Sequence, residues 1–596
     1  MNAMTDQRRA QIVIGSTLVL SLLAVYFGFW GFERDRMEEL YRSGTWYFLL
    51  VALLLWLQQL AAFMPTLEDA RAAWRRHWPA AVTAVMLVML AFIASPPDYR
   101  ILADETNLLG MAQAFYEERS CHNPTQALNF YHGIKRTISS VVDMRPAFYP
   151  FLTAAAHALT GYRPENAFLV NAVAGFGILL LLYALVQAWY GRFWGVVAML
   201  LLSSFPLFVL YMTSAGFETV NLLFAMMLLG AAWRFIRRPQ AAGAELLFLT
   251  LPLLAQTRYE SALAVFCVIP LVIICLPKDE YSCLTWRTML VPVLFLPVAW
   301  LRVITYSQRA FQVESIEQAF GLNHLWANLQ NALPFFTGSE KAYGMVSLLA
   351  VTAGAGLIWL LSDYFNTRQS ERKSCVFAGF VAMFFVLHAA ARFAYFWGDL
   401  RLQYTSRLGI VFLPLLVCLS IYLLWQLTRT VGLSRNWAPL LAILLMIHSW
   451  PVAGQNLAVR DIFFYREFRT VREYLQQHYP NPKGYILVSD ISNLYLPFNY
   501  SSVSPSWVEL NSDEVAQSLE KGTWQRLLVV QKINIATGQP VAGSEMPARF
   551  TLEPLYHSQL SPEKLICISV YEPSYKEKLK SDNPQITPIP PIFAED

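Results

Sequence analysis

Five short stretches place charged side chains within largely apolar sequence. "ADETNLL" (103–109) carries Asp104 and Glu105, and "VVDMRPAFYP" (141–150) carries Arg145. "TSAGFETV" (213–220) carries Glu218, and "AQTRYESA" (255–262) carries Arg258 and Glu260. A longer stretch, 390–416, carries Arg392, Arg401 and Arg407. Carboxylates can accept a proton from a reacting group, and guanidinium groups can pair with an anion. At membrane depth such groups are costly unless they pair or serve a function.

The elements around these residues read as a membrane protein. The chain has 596 residues, 56% hydrophobic and 14% charged, with mean hydropathy +0.39. Soluble domains carry roughly 25% charged residues. Apolar runs at 11–30, 45–64, 78–95, 164–189, 193–213, 217–236, 245–257 and 261–276 are followed by 288–305, 341–362, 374–396, 408–427 and 438–455. They predict about thirteen crossings at roughly 20 residues per span. The pair at 245–276 is read as two segments, because one helix through "TRYE" would bury charge at mid-bilayer. The stretch 146–160, with Pro146 and Pro150 at its start, is short for a crossing and reads as a helix on the outer face. The start of the chain lacks the pattern of a cleaved signal: Arg8 and Arg9 precede a run long enough to span.

Orientation follows from the basic residues. With the N-terminus inside, cytoplasmic loops hold Arg71, Arg75 and Arg76, then Arg192, then Arg234, Arg237 and Arg238. Later ones hold Lys278 and Arg287, Arg368, Arg372 and Lys373, and Arg429 and Arg435. This is the positive-inside pattern. It places loops 96–145 and 306–340 and the tail 456–596 outside the cytoplasm, and all the charged stretches above at one depth. The expected location is a bacterial inner membrane. The expected divisions are an N-terminal hairpin (1–77), a transmembrane core (78–455) and an extracytoplasmic α/β domain (456–596). In that domain a charged helix pattern at 461–478 precedes strand-like runs at 484–489, 525–531 and 564–571. No glycine-rich phosphate loop accompanies them. The proline-rich last residues read as disordered.

The net charge of +4 is small and spread out, which argues against nucleic acid. Seven cysteines show no metal-ligand spacing, and only Cys121 and Cys567 fall outside the membrane on the oxidising side, where they have the option of pairing. His122, His132 and His324 lie in outer loops without ligand spacing.

The order of the charged features resembles the GT-C superfamily of lipid-dependent glycosyltransferases, most of all its protein O-mannosyltransferase and aminoarabinose lipid A transferase branch. The matching features are Asp104–Glu105, Arg145–Pro146, Glu218, Thr257–Arg258–Glu260, and Arg407 before Leu413–Pro414–Leu415–Leu416. They cover about 95–427. Three departures stand out. The acidic pair follows the third span, so 11–64 reads as an added hairpin. Glu218 stands where relatives usually have Asp. "RPAFYP" stands where they often show His or Lys before the proline.

The resemblance implies a GT-C-like α-helical polytopic fold and a hexosyltransferase-type enzyme. It would move a monosaccharide from a polyprenyl-phosphate donor to a hydroxyl of a glycan, lipid or protein acceptor, with inversion. Asp104, Glu105 and Glu218 would be catalytic. Arg258, Arg392, Arg401 and Arg407 would hold the leaving phosphate, with Arg145 and Glu260 in support. No obligatory cofactor is implied, and a divalent metal is not favoured.

Each residue also has a plainer reading. Asp104 can serve as a helix N-cap with Glu105 in the first turn; Glu218 can be an ordinary helix-start acid, Arg258 and Glu260 can pair with each other, and Arg401 can snorkel to the interface. Glu33 and Asp35 compete with Asp104 but lack the "RP" closure. A transporter or flippase, or a non-catalytic scaffold of the same fold, stands as the alternative.

Overall fold

In the computed structural model the chain is described over 2–63, 67–129, 135–306, 320–337, 346–366, 372–401, 403–455, 465–482 and 484–571. It divides into two units, one of residues 1–123 and 141–463 and one of 124–140 and 464–596. The prolines after 571, His132 and the first residues of the expected helix at 461–478 lie outside the described residues.

The first unit is helical. In lipid every backbone N–H and C=O must find an internal partner, and a helix provides this within one segment. Its first helices are α1 (Asn2–Phe29), α2 (Arg34–Phe63), α3 (Leu67–Ala94), α4 (Leu102–Glu118) and α5 (Phe148–Thr160). Next come α6 (Asn166–Tyr190), α7 (Arg192–Ser203), α8 (Pro206–Met212), α9 (Glu218–Arg237) and α10 (Ala241–Ala255). Then follow α11 (Val265–Cys275), α12 (Trp286–Leu294) and α13 (Leu296–Tyr306). Helices Leu322–Thr337, Val346–Asn366, Arg372–Phe393, Leu413–Thr430 and Trp437–Gln455 complete the unit.

Among the described residues eight helical segments are long and apolar enough to cross a membrane: Arg8–Phe29, Arg34–Phe63, Trp74–Ala94, Asn166–Tyr190, Glu218–Arg237, Trp286–Thr305, Lys373–Phe393 and Arg407–Thr430. The pair α7–α8 passes the same test together but is bent by 77°. Pro206 at the start of α8 suits a new helix start, not a continuation. Shorter apolar helices occupy Ala241–Ala255, Tyr259–Cys275, Leu348–Tyr364 and Trp437–Pro451. Each of the apolar runs read from the sequence thus has a helical counterpart. The chain breaks at Thr257–Arg258, as the cost of burying that charge predicts.

The thirteen residues of α5 rise only about 20 Å, too little to cross. Its start is tied to the end of α10: Phe148 N–H donates to the Gln256 carbonyl at 3.0 Å.

The second unit holds strands β1 (Asn123–Asn129), β2 (Lys135–Val141), β3 (Tyr485–Val488), β4 (Ser501–Val503), β5 (Arg526–Asn534), β6 (Glu553–Ser561) and β7 (Lys564–Tyr571). They form one sheet in the order β2-β1-β4-β3-β5-β7-β6. β3 pairs in parallel with β4 and β5, and β7 pairs antiparallel with both β5 and β6. Ile486, Val488, Leu527, Val529 and Trp524 form the core on one face. The three strand-like runs expected from the sequence are β3, β5 and β7. The first outer loop, expected as loop, contributes β1 and β2. Cys121 and Cys567 are both free thiols.

Candidate active site

The site is built where helix ends of the first unit meet. After α3 the chain passes Pro96 and Pro97 to Arg100, a buried guanidinium that donates to Ser95 Oγ (3.0 Å), the Pro96 carbonyl (3.1 Å) and Thr213 Oγ1 (2.9 Å). The backbone N–H groups of Arg100 and Ile101 donate to Glu105 Oε2 at 2.5 and 3.1 Å. Glu105 therefore closes the entry to α4 and does not join the arginines. Burial pushes its carboxyl up to about 8, against the pull of the hydrogen bonds from Ile101 and Arg100 and with a further push from the Glu218 charge. Its carboxylate is thus turned away from that of Asp104. Adjacent helical residues project about 100° apart, so one side chain reaches the arginines while the next turns back on the loop.

Asp104 sits in the first turn of α4, at the positive end of the helix dipole. It is not the cap: Ile101 is, and no side chain caps this helix. One Asp104 oxygen accepts from Arg145 Nη2, and Oδ2 accepts from Arg407 Nη2 at 2.6 Å. Burial alone would raise this carboxyl, but the two guanidiniums outweigh it and hold it well below the usual carboxylate range. Arg145 Nη1 also donates to both oxygens of Asp143 at 2.8 and 2.7 Å, and Asn107 Nδ2 donates to Asp143 Oδ2 at 2.9 Å. Asp143 was not singled out from the sequence. Its position two residues before Arg145 was the available signal.

Glu218 opens α9 and is 1% exposed. Its Oε1 lies 3.1 Å from Arg407 Nη1 and 3.4 Å from Arg258 Nη1. The preceding turn is held by Asn171 Nδ2, which donates to the carbonyls of Ser214 and Gly216, both at 2.7 Å. Gly216 leaves room for this carboxylate: a Cβ there would stand 2.3 Å from Glu218 Oε2 and displace it. The Phe217 ring lies beneath the guanidiniums of Arg258 and Arg407, at 5.1 and 5.9 Å. Asn221 Nδ2 fixes the next turn by donating to Thr257 Oγ1 and Ser261 Oγ, both at 2.8 Å. Arg258 Nε then reaches Glu260 Oε1 at 2.6 Å, and Arg392 Nη2 reaches the same oxygen at 3.2 Å.

The result is one continuous alternation: Asp143, Arg145, Asp104, Arg407, Glu218, Arg258, Glu260, Arg392. Its charges balance, but its hydrogen bonds are not complete. Glu218 Oε2, Arg407 Nε, and Arg392 Nε and Nη1 are buried without a partner. These atoms, and any guanidinium that exchanges its carboxylate, are available to a polar ligand. Arg302 adds a further cation that sequence reasoning missed. It stands 3.7 Å over the Tyr259 ring, whose hydroxyl donates to the Met144 carbonyl at 3.0 Å. Its place at the end of an apolar run was the only signal.

Arg401 is not brought into the alternation. Its guanidinium folds back on Asp399, with Nη2 2.8 Å from Oδ2, and its side chain is 41% exposed. In this arrangement it stands apart from Arg258, Arg392 and Arg407, with which the sequence groups it. The reason is local: an acid two residues away competes for it at the surface. Glu33 and Asp35, the competing acids, are exposed. Among the described residues no group of three or more His, Cys, Asp or Glu side chains is placed to hold a metal ion.

No protein-family model matches the chain, and no curated protein matches it. Among solved structures it is similar to ArnT from Cupriavidus metallidurans bound to undecaprenyl phosphate, with TM-score 0.51 and 10% identity over 83% of this chain and 98% of that one. Weaker similarities are to the Archaeoglobus fulgidus oligosaccharyltransferase tethered with an acceptor peptide (TM-score 0.41, 10% identity, 80% of this chain and 75% of that one) and to arabinosyltransferase EmbB from Mycobacterium smegmatis (TM-score 0.39, 10% identity, 86% and 48%). The ArnT likeness spans nearly all of that chain and shows a common fold. This protein is an integral membrane protein that shares the fold of ArnT.

Proposed function

We propose that the protein is a membrane glycosyltransferase that moves a monosaccharide from a polyprenyl-phosphate donor to an acceptor hydroxyl on the extracytoplasmic side. The carrying observation is Asp104 clamped between Arg145 and Arg407, beside buried guanidinium nitrogens that lack partners. The ArnT structure that shares this fold holds undecaprenyl phosphate, a lipid of the proposed leaving-group class.

The chemistry follows from exchange. The donor phosphate competes with carboxylates for Arg258, Arg392 and Arg407, which match it with forked, charge-assisted hydrogen bonds. When Arg407 turns toward the phosphate, Asp104 loses one of the two charges that hold its carboxyl low, and its basicity rises. Asp104 then accepts the acceptor hydroxyl proton as that oxygen bonds to the anomeric carbon. The bond from that carbon to the phosphate oxygen breaks, and its electron pair leaves on the phosphate, stabilised by the arginines. Attack opposite the leaving group inverts the anomeric centre. Glu218 and Glu260 position the guanidiniums, and Arg145 keeps hold of Asp104. The step needs no nucleotide, and the guanidiniums take the leaving charge that a divalent cation would otherwise carry. The partners are the lipid-linked sugar, a glycan, lipid or protein acceptor, and the bilayer.

Purified protein in lipid nanodiscs, supplied with radiolabelled polyprenyl-phosphate sugar, should transfer label to an acceptor. Mass spectrometry of co-purified lipid should find a polyprenyl phosphate or its glycoside. Absence of both would favour the scaffold or transporter reading.

A further inference from the structure

A second basic site lies at the other end of the helical unit. A cavity of about 440 Å³ is lined by Arg8, Arg9, Ile12, Val13, Trp286 and Arg287, among others. Arg8 begins the apolar segment of α1, and Trp286 begins that of α12–α13, so the cavity sits where two adjacent spans enter the membrane. Arg287 Nη1 is set by Gln59 Oε1 at 3.0 Å, near the end of α2, and lies 3.6 Å from Glu245 Oε2, near the start of α10. Glu245 is itself fixed by the Thr285 N–H at 2.5 Å. Arg287 Nε is buried without a partner. Arg8 and Arg9 are exposed and have no carboxylate partner among the described residues. Three guanidiniums line the cleft, and among the described residues Glu245 is the carboxylate within ion-pair distance of one of them.

We propose that this cleft binds the phosphodiester headgroup of an anionic membrane phospholipid. A basic pocket between spans at the headgroup level attracts such lipids by charge. The walls argue for a lipid over a free phosphate. Ile12 is 63% exposed and Trp286 is 54% exposed. These apolar surfaces continue down the two spans, where acyl chains would cover them and a soluble anion would not. The basic-loop pattern assigns the cleft to the cytoplasmic leaflet. The cleft is separate from the acid–arginine alternation. Glu245 and Arg258 stand near opposite ends of α10, whose fifteen residues rise about 22 Å.

The test is native mass spectrometry of the whole protein released from nanodiscs containing phosphatidylglycerol, phosphatidylethanolamine or both. One phosphatidylglycerol should be retained about tenfold more strongly than phosphatidylethanolamine, as expected when several guanidinium contacts meet an anion. Arg8→Ala with Arg9→Ala should abolish that preference without lowering the melting temperature, because both side chains are exposed. Lysine at both positions should restore part of it. Arg258→Ala, at the other end of α10, should leave the preference intact. Equal retention of the two lipids, an unchanged preference in the double alanine variant, or loss of preference in Arg258→Ala would each overturn the proposal. Displacement of phosphatidylglycerol by millimolar inorganic phosphate would overturn the lipid as the occupant.

Discussion

The two ends of α10 present arginines in opposite conditions. Beyond its C-terminal end, four guanidiniums alternate with four carboxylates. Near its N-terminal end three guanidiniums line a cleft, and among the described residues one of them is within ion-pair distance of a carboxylate, Glu245. A balanced cluster takes an anion largely by exchange: beyond the guanidinium nitrogens that lack a partner, each contact the ligand gains is one a carboxylate gives up, and the released carboxylate must find a proton or a new partner. An unbalanced cleft takes an anion by addition. Exchange links binding to a change in basicity, which suits a reaction. Addition gives simple affinity that weakens with salt, which suits anchoring.

The largest expected effect breaks the exchange at its centre. Asp104→Asn keeps the shape and some hydrogen bonding but removes the base, so transfer should fall by roughly 10²–10⁴-fold, the usual range for general acid–base catalysis. Donor retention should hold or rise, because Arg407 no longer has that carboxylate to leave. Activity and lipid retention measured on one preparation separate this from a structural defect, which would lower both. Near-normal transfer would remove Asp104 as the base.

Arg407→Ala comes next. Arg407 joins Asp104 to Glu218, so its loss leaves two buried carboxylates without their common cation. Truncating a buried, hydrogen-bonded charge costs about 2–5 kcal/mol, so donor retention should fall on the order of 10²-fold. Arg407→Lys should recover only part, since a point charge cannot bridge both acids. Unchanged retention in the alanine variant would sink the exchange mechanism.

These variants were reachable from the sequence because every member of the cluster except Asp143 was legible there. Lipid demands long apolar helices, so polar residues at their ends stand out, and Asp104, Arg145, Glu218, Arg258, Glu260, Arg392 and Arg407 all fall at such ends. Which acid meets which guanidinium was not legible, because pairing depends on how separate helix ends cross. Arg407 meets Asp104 from 303 residues away. The orientation of Glu105 was hidden for another reason: it turns on one helical step and on the backbone N–H groups of Arg100 and Ile101. In the second unit the parallel and central strands β3, β5 and β7 were visible as apolar runs. β4 has only three residues, and the outer strand β6, "EPLYHSQLS", is largely polar because it is half exposed, so neither carries a clear strand pattern.

A smaller effect tests the neighbouring acids against each other. Glu105 has its folded carboxyl raised to about 8 from an ordinary 4.5. The folded state therefore favours its neutral form, a contribution full below the ordinary value and lost as pH rises through about 8. The wild-type melting temperature should fall between pH 7 and 9.5, and Glu105→Gln should flatten that fall because its amide oxygen still accepts from the backbone. At pH 7 transfer should stay within about tenfold of wild type, as one altered hydrogen bond is worth about 0.5–1.5 kcal/mol. A loss as large as that of Asp104→Asn would return Glu105 to the chemistry.

The smallest effect belongs to Arg401, and it sharpens the comparison by its absence. Arg401 and Arg392 lie on the same stretch of chain, nine residues apart, yet one is 41% exposed beside Asp399 and the other is buried against Glu260. An exposed ion pair contributes about 0–1 kcal/mol and is screened by salt. A buried guanidinium with nitrogens lacking partners contributes through whatever ligand completes it. Arg401→Ala should therefore leave transfer and donor retention at wild-type levels, whereas Arg392→Ala should lower both. Assayed together at low and high salt, the pair tests whether burial in the alternation, and not mere position in an arginine-rich loop, makes an arginine part of the site. Loss of donor retention in Arg401→Ala would show that the site extends beyond the alternation.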